Sequence, residues 1–419
     1  MQSIISKKTI KPFSPTPSTQ RWHKLSLLDQ LFSNMYMPFV FFYPKHQVAT
    51  IPKHQLSKFL ANSLSKTLTS YYPWAGSLKD NSTIECDDHG AEFLEVDINS
   101  PMNKVMHHPD WAFPQGLTCE YSSSSISGAL TVAQLSHFEC GGMALSLCLS
   151  HKVGDGSSAY YFLRDWAALT RDPNLALSPP YFAQDSLFPS TLDGPLISPV
   201  IKSIKGEACI EKRFLFSESK INALKALVAA ESPIQNPTRN EVVNALLYKC
   251  AATNSRRSQL VQVSDLRRQT ISPLPPTTIG NIFTIFSSPI YEQDLKLSKL
   301  VTDIRKSKQD LFTRNNLQEN ELIKEMLDAY RTGKLPYQQR NCDVYRSTSL
   351  LAFEYEKLDF GFGKPARVSQ GSSPPKKFFI LMNTPDDHDR GVEAFVSLHE
   401  QDMSIFENDK NLLQFATPI

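Results

Sequence analysis

Met143-Ala144-Leu145-Ser146-Leu147-Cys148-Leu149-Ser150-His151-Lys152-Val153-Gly154-Asp155-Gly156 passes from an apolar run into a glycine-flanked turn. A helix-like stretch follows, Tyr160-Tyr161-Phe162-Leu163-Arg164-Asp165-Trp166. Strand, turn and helix in such close succession point to a mixed α/β architecture. A histidine at the end of a buried strand titrates near neutral pH and is a candidate general base. The structural reading of His151, a buried imidazole hydrogen-bonded at a strand end, stays open beside it. Asp155, followed by Gly156-Ser157-Ser158, has the pattern of an N-cap that accepts the free amides of a first helical turn.

Outward from this segment, strands and helices alternate. Leu130 to Phe138 and Met143 to Leu149 read as a hairpin around Glu139-Cys140-Gly141-Gly142. Leu56, Phe59, Leu60, Leu64 and Leu68 recur at helical spacing. Thr83 to Cys86 and Ala91 to Val96 read as strands separated by the turn Asp87-Asp88-His89-Gly90. From Asp172 to Gly206, repeated prolines erase any amphipathic period. Beyond lie a strand through Arg213-Phe214-Leu215-Phe216 and a helix with Ile221, Leu224, Leu227 and Val228 on one face. Thr238-Arg239-Asn240-Glu241 is a capping box that opens another helix. Asp294 to Tyr330 reads as two helical pieces broken around Arg314-Asn315-Asn316. The chain thus divides into residues 1–172, a proline-rich crossover over 173–206, and residues 207–419.

With 419 residues, 41% hydrophobic and 21% charged, the chain is long enough for more than one core and has a globular composition. A net charge of +2 without any Lys/Arg block argues against a nucleic-acid or membrane-surface partner. The longest apolar run, Pro38 to Pro44, is too short to cross a bilayer. The first residues show no signal-peptide core, so a cytoplasmic location is expected. Seven scattered cysteines without a C-x-x-C pair suggest reduced thiols and no zinc site.

Two further readings compete over the chemistry. Gly154-Asp155-Gly156-Ser157-Ser158-Ala159 fits the dinucleotide pattern G-x-G-x-x-G/A. It follows a hairpin, however, and no acid closes a second strand about twenty residues on. No G-x-S-x-G occurs, which disfavours a serine nucleophile elbow. A histidine activating the substrate's own hydroxyl or amine is then the simpler mechanism. Near the C-terminus, Leu358-Asp359-Phe360-Gly361-Phe362-Gly363-Lys364-Pro365 suggests a constrained loop in which the backbone comes close to a neighbour, or a plain β-bulge.

Taken together, H-x-x-x-D and D-F-G-[aromatic]-G-K-P resemble the BAHD family of plant acyl-CoA-dependent acyltransferases. Ile10-Lys11-Pro12, Leu25-Ser26-Leu27-Leu28-Asp29-Gln30, Tyr72-Pro73-Trp74-Ala75-Gly76, Phe138 to Gly142, and Asp265-Leu266-Arg267 with Pro273-Leu274-Pro275 and Gly280-Asn281 match further family segments in order. The resemblance implies two similar chloramphenicol-acetyltransferase-like α/β domains, each a mixed sheet flanked by helices, with a channel between them. It also implies that His151 takes the proton of an acceptor hydroxyl, which attacks the thioester of an acyl-CoA co-substrate without an acyl-enzyme. Asp155 is implied to pair with Arg267 and hold the catalytic loop, and Asp359, Gly361 and Gly363 to form a structural motif. No resident cofactor or metal is implied, and the partners are acyl-CoA and a small-molecule alcohol, with the protein a monomer.

The wording of the chain leans toward acylated-sugar acceptors, with alkaloid or terpenoid alcohols as the alternative. A non-catalytic binding relative is the alternative of another class. Phe362 stands where the family carries tryptophan, and Asp265 where it carries asparagine, so Asp265 is a second candidate partner for Arg267. The donor to the tetrahedral oxyanion is left open between a backbone amide and a residue near Gly280-Asn281.

Overall fold

The structure, a computed structural model, describes residues 2–30, 35–106, 128–182, 209–268, 274–292, 295–314, 341–370, 376–385 and 389–419. Most of the crossover and the second helical piece expected before Tyr330 lie outside these residues.

Among the described residues, two large mixed sheets organise the chain. The first has six strands in the order β1 (Gln2–Ile10), β6 (Ala91–Ile98), β7 (Thr131–Phe138), β8 (Met143–Ser150), β3 (Tyr36–Tyr43) and β15 (Arg367–Gln370). Only β6 and β7 run parallel in it. The second has seven strands: β13 (Phe283–Ser287), β11 (Ser258–Asp265), β14 (Asp343–Ser349), β16 (Phe378–Asn383), β17 (Val392–His399), β10 (Cys209–Phe216) and β18 (Thr417–Pro418). Three short strands, β2 (Trp22–Lys24), β5 (Thr83–Glu85) and β4 (Ser77–Leu78), form a satellite sheet, and β12 (Thr278–Ile279) pairs with β9 (Tyr181–Phe182).

Helices complete each unit. The short helices α1 (Leu27–Gln30), α2 (Lys45–Val48) and α4 (Met102–Met106) accompany α3 (Lys53–Ser70) and α5 (Gly156–Arg171) around the first sheet. The second sheet is covered by α6 (Glu218–Glu231), α7 (Arg239–Ala251), α8 (Leu297–Arg314), α9 (Glu400–Phe406) and α10 (Lys410–Phe415). α8 runs to Arg314, the last described residue before the break expected around Arg314-Asn315-Asn316, which lies outside the described residues, and α7 carries the complete Thr238–Glu241 capping box. No helix of the described residues is long and apolar enough to cross a membrane.

Local pattern explains most of these elements. In β8, Leu145, Leu147 and Leu149 face the first core, while Ala144 and Cys148 pack on the opposite face. Leu60, Leu64 and Leu68 are fully buried along α3, each worth about 1.5–3 kcal/mol of apolar burial. Phe59 and Leu227 depart from expectation. They keep helical spacing but lie at the margin of the apolar stripe, 48% and 41% exposed.

Two features cross the halves of the sequence. β15 comes from the carboxy-terminal part yet pairs antiparallel with β3, so Arg367–Gln370 belongs to the first sheet. The first core also takes in Ile380, Met382 and Phe395 from the second sheet. The cysteines need a correction. Cys86, Cys140, Cys209, Cys250 and Cys342 are free thiols, but Cys148 is disulfide-bonded. Sequence spacing carries no signal for a pairing that depends on which segments the fold brings together.

Candidate active site

β8 delivers His151 at its carboxy-terminal end, where Ser150 N–H donates to Leu130 and His151 N–H donates to Met35, both at 2.8 Å. The chain then turns through Lys152, Val153 and Gly154 into α5. Asp155 caps that helix, accepting from Ser158 N–H at 3.0 Å. Because both strands beside β8 are antiparallel to it, Gly154-Asp155-Gly156 does not sit in a parallel βαβ unit. The dinucleotide reading fails on that topology.

Asp155 points away from His151 into a buried network. Its two carboxylate oxygens accept the Arg267 fork, Nη1 to Oδ2 and Nη2 to Oδ1, both at 2.9 Å. Ile282 N–H adds a bond at 3.1 Å. Arg267 is 2% exposed and also donates to the carbonyls of Thr278 (3.0 Å) and Gly280 (3.1 Å). Burial alone would raise the Asp155 carboxyl, but the Arg267 charge and these amide bonds reverse the effect and hold it below the usual carboxylate range.

Asp265 also contacts Arg267 Nη1, at 3.1 Å, from a side chain that is half exposed. The two acids therefore do not compete for one geometry. Asp155 takes the buried bidentate fork and Asp265 a single bond at the rim.

A second network reaches His151 from the other side. Asn281 Nδ2 donates to the His151 carbonyl at 2.7 Å and to Asp29 Oδ1 at 2.8 Å, and its backbone N–H reaches the same Asp29 oxygen at 2.7 Å. With both amide hydrogens and the backbone N–H engaged, Asn281 has no donor left for an oxyanion. That removes its side chain from the candidates for that role. Gly280, at φ +139°, lets this segment cross between the two networks, its carbonyl serving Arg267 and Ser158 while the next residue serves His151.

His151 itself is only partly exposed, and the ring of Phe283 stands edge-on with centroids 6.5 Å apart. Burial lowers its pKa below the ordinary histidine value, while its own backbone, the charge of Asp155 and the Asn281 side chain pull the other way. The lowered pKa favours the neutral imidazole, the form that accepts a proton. Next to it, Lys152 is buried, pushed down to about 8, and held by the Gln30 carbonyl and Asn81 Oδ1.

Asp359, Gly361 and Gly363 lie elsewhere. Asp359 Oδ1 accepts the N–H groups of Gly361 (2.7 Å) and Gly363 (2.9 Å), and both glycines adopt positive φ, +92° and +85°. Buried Phe360 meets Trp166 edge-on at 5.1 Å, and Phe362 meets Tyr43 at 5.6 Å. This is an acid-pinned loop that docks two aromatic rings, not a β-bulge. Phe362 fills its place through ring contact. No group of acids, histidines or cysteines among the described residues is arranged to hold a metal.

Asp29 and Asn281 are the residues whose part the sequence does not reveal. Both fall inside matched segments, but nothing local indicates that residues 252 positions apart are bonded. Segment matching marks them as constrained and assigns them no role.

The model of the Transferase family matches residues 2–413. Acyltransferase Pun1 of Capsicum frutescens is 43% identical over 431 residues, spanning 99% of this chain and 97% of that protein. Acylsugar acyltransferase 3 of Solanum lycopersicum is 36% identical, spanning 100% of this chain and 98% of that protein. Among solved structures, vinorine synthase superposes with a TM-score of 0.81 at 27% identity, covering 99% of this chain and 98% of the other. The chain belongs to the Transferase family, the BAHD group that its motifs resemble, and is an acyl-CoA-dependent acyltransferase.

Proposed function

We propose that the protein transfers an acyl group from acyl-CoA to a hydroxyl of a plant specialised metabolite, with His151 as general base. The observation that carries this reading is a partly exposed imidazole at a strand end whose flanking residues are locked on both sides. In the reaction His151 takes the hydroxyl proton as the oxygen attacks the thioester carbonyl. The tetrahedral intermediate then collapses, the C–S bond breaks, and the proton passes to the departing CoA thiolate. No enzyme-bound acyl group forms, so both substrates occupy the site together. Asp155 and Arg267 hold the loop and stay away from the reacting atoms.

Two acceptor classes are supported, acylated sugars by the tomato relative's name and alkaloid alcohols by relatives such as deacetylvindoline O-acetyltransferase of Catharanthus roseus. Of these, acylated sugars are the proposed acceptors. Release of CoA thiol, followed with a chromogenic disulfide, tests both points on a panel of acyl-CoAs with partly acylated sucrose and alkaloid alcohols. CoA release should require an acceptor, and His151→Ala should lower it about 10²–10⁴-fold in a folded protein. A folded His151→Ala variant with wild-type turnover would sink the general-base role. Turnover of alkaloid alcohols alone would move the acceptor class.

A further inference from the structure

The second sheet has two unlike faces. Leu260, Phe286, Phe379, Leu381, Ala394 and Val396 turn into its own core. Residues that alternate with them along each strand take the other face. There Ile380, Met382 and Phe395 pack against the first core. At β11 and the edge strand β13 the same face is more open, with Val263 39% exposed and Phe283 and Ile285 half-buried.

These three side chains form a continuous strip. Val263 and Ile285 are direct cross-strand partners, and Phe283 precedes Ile285 by one strand repeat of about 6.7 Å. The strip begins at the candidate base, where the Phe283 ring stands edge-on to the imidazole with centroids 6.5 Å apart. It offers neither donor nor acceptor. The polar residue opposite Phe283, Asp265, is bonded to Arg267. An open sheet edge normally carries charge, so an apolar face there, starting at His151, marks a contact surface.

We propose that Val263, Phe283 and Ile285 are the wall along which the acyl chain of the donor lies, so that the protein favours acyl-CoAs with an aliphatic chain longer than acetyl. This rests on His151 being the base. The attacking hydroxyl oxygen and the thioester carbonyl carbon must come within about 3–3.5 Å of each other beside the imidazole. The first methylenes beyond that carbonyl then fall next to Phe283, and later ones reach Ile285 and Val263. A sugar ring would leave its hydroxyls without partners on this strip, whereas an alkyl chain only sheds its hydration there. Each methylene fully covered on the strip should raise kcat/KM about fourfold.

CoA release from acetyl-, butanoyl- and hexanoyl-CoA, with one acceptor held constant, tests the wall. In the wild type kcat/KM should rise from acetyl to hexanoyl. Ile285→Ala should lower the hexanoyl-to-acetyl ratio about tenfold, and Val263→Ser, at a more exposed position, about threefold. Because the ratio is taken within each variant, a general loss of folded enzyme cancels. Where Ile285→Ala does not fold, Val263→Ser and Ile285→Val carry the test, with the ratio moving in the same direction.

A wild type without chain-length preference overturns the proposal, as do folded variants that keep the wild-type ratio. So does a constant ratio accompanied by a shifted preference among acceptors, because the strip then holds the acceptor. Full activity in His151→Ala would refute the base role alone. Tighter binding of hexanoyl-CoA than of acetyl-CoA, measured by calorimetry, and its loss in Ile285→Ala would still read the strip.

Discussion

The loop that carries His151 is held by two buried aspartates of opposite electrostatic character. Asp155 sits in the jaws of Arg267, and its pKa falls despite complete burial. Asp29 meets only neutral donors, and burial wins, so its pKa rises even though Ser26 and Asn281 pull it down. Both acids stabilise segments that meet at Gly280-Asn281, yet one does it with an ion pair and the other with hydrogen bonds. A bidentate ion pair ties distant segments strongly and tolerates some movement of the ring it supports at a distance. A carboxylate saturated by neutral donors has no counter-charge but specifies which way an amide points. The ion pair fixes where the loop is, and the Asp29 cluster fixes how the Asn281 amide meets the His151 carbonyl.

Breaking the ion pair should have the largest effect. Arg267→Ala leaves Asp155 buried without a counter-charge and removes a donor from the Thr278 and Gly280 carbonyls, so a loss of about 3–5 kcal/mol is expected in urea unfolding. Replacing Asp155 and Arg267 together should cost less than the sum of the single changes, because neither charge is then stranded. Strict additivity would mean that the pair is not coupled as its geometry indicates.

The contrast sharpens with pH. A carboxyl whose folded pKa is depressed contributes stability that is present above its unfolded value near 4 and is lost as pH falls through the folded pKa. Asp155 is such a group. A carboxyl whose folded pKa is raised contributes stability that is complete below the unfolded value and is lost as pH rises through the folded pKa, and Asp29 is of this kind. Relative to wild type, the deficit of Asp155→Asn should therefore grow, and that of Asp29→Asn shrink, as pH rises from about 3.5 to 7. Denaturation midpoints across that range test this, and slopes of the same sign would dissolve the distinction.

The smallest effect belongs to the rim. Asp265→Asn removes one bond to Arg267 from a half-exposed side chain, so the stability change should stay below about 1 kcal/mol. A change as large as that of Arg267→Ala would make Asp265 the principal partner.

How far the sequence showed this site follows from the reach of each interaction. His151, the Asp155 cap and the Thr238 capping box are set by residues within about four positions, so their patterns stand in the sequence. The β7–β8 hairpin and α5 are legible for the same reason. The Asp155–Arg267 pair spans 112 positions and came only from family resemblance. Asp29 was visible as part of a matched segment, but its bond to Asn281 across 252 positions was not.

By itself, then, the sequence determined the alternation of strands and helices, the glycine-flanked turn that places His151 at a strand end, and the capping that starts α5. Tertiary structure alone decided that β15 returns to the first sheet, that Phe59 and Leu227 face outward, that Cys148 is disulfide-bonded, and that Asn281 is oriented by Asp29. The physical reason is range. Backbone propensity and side-chain period act over a turn or two, whereas partner choice across hundreds of residues depends on which surfaces packing brings together and which buried polar atoms must then find a bond.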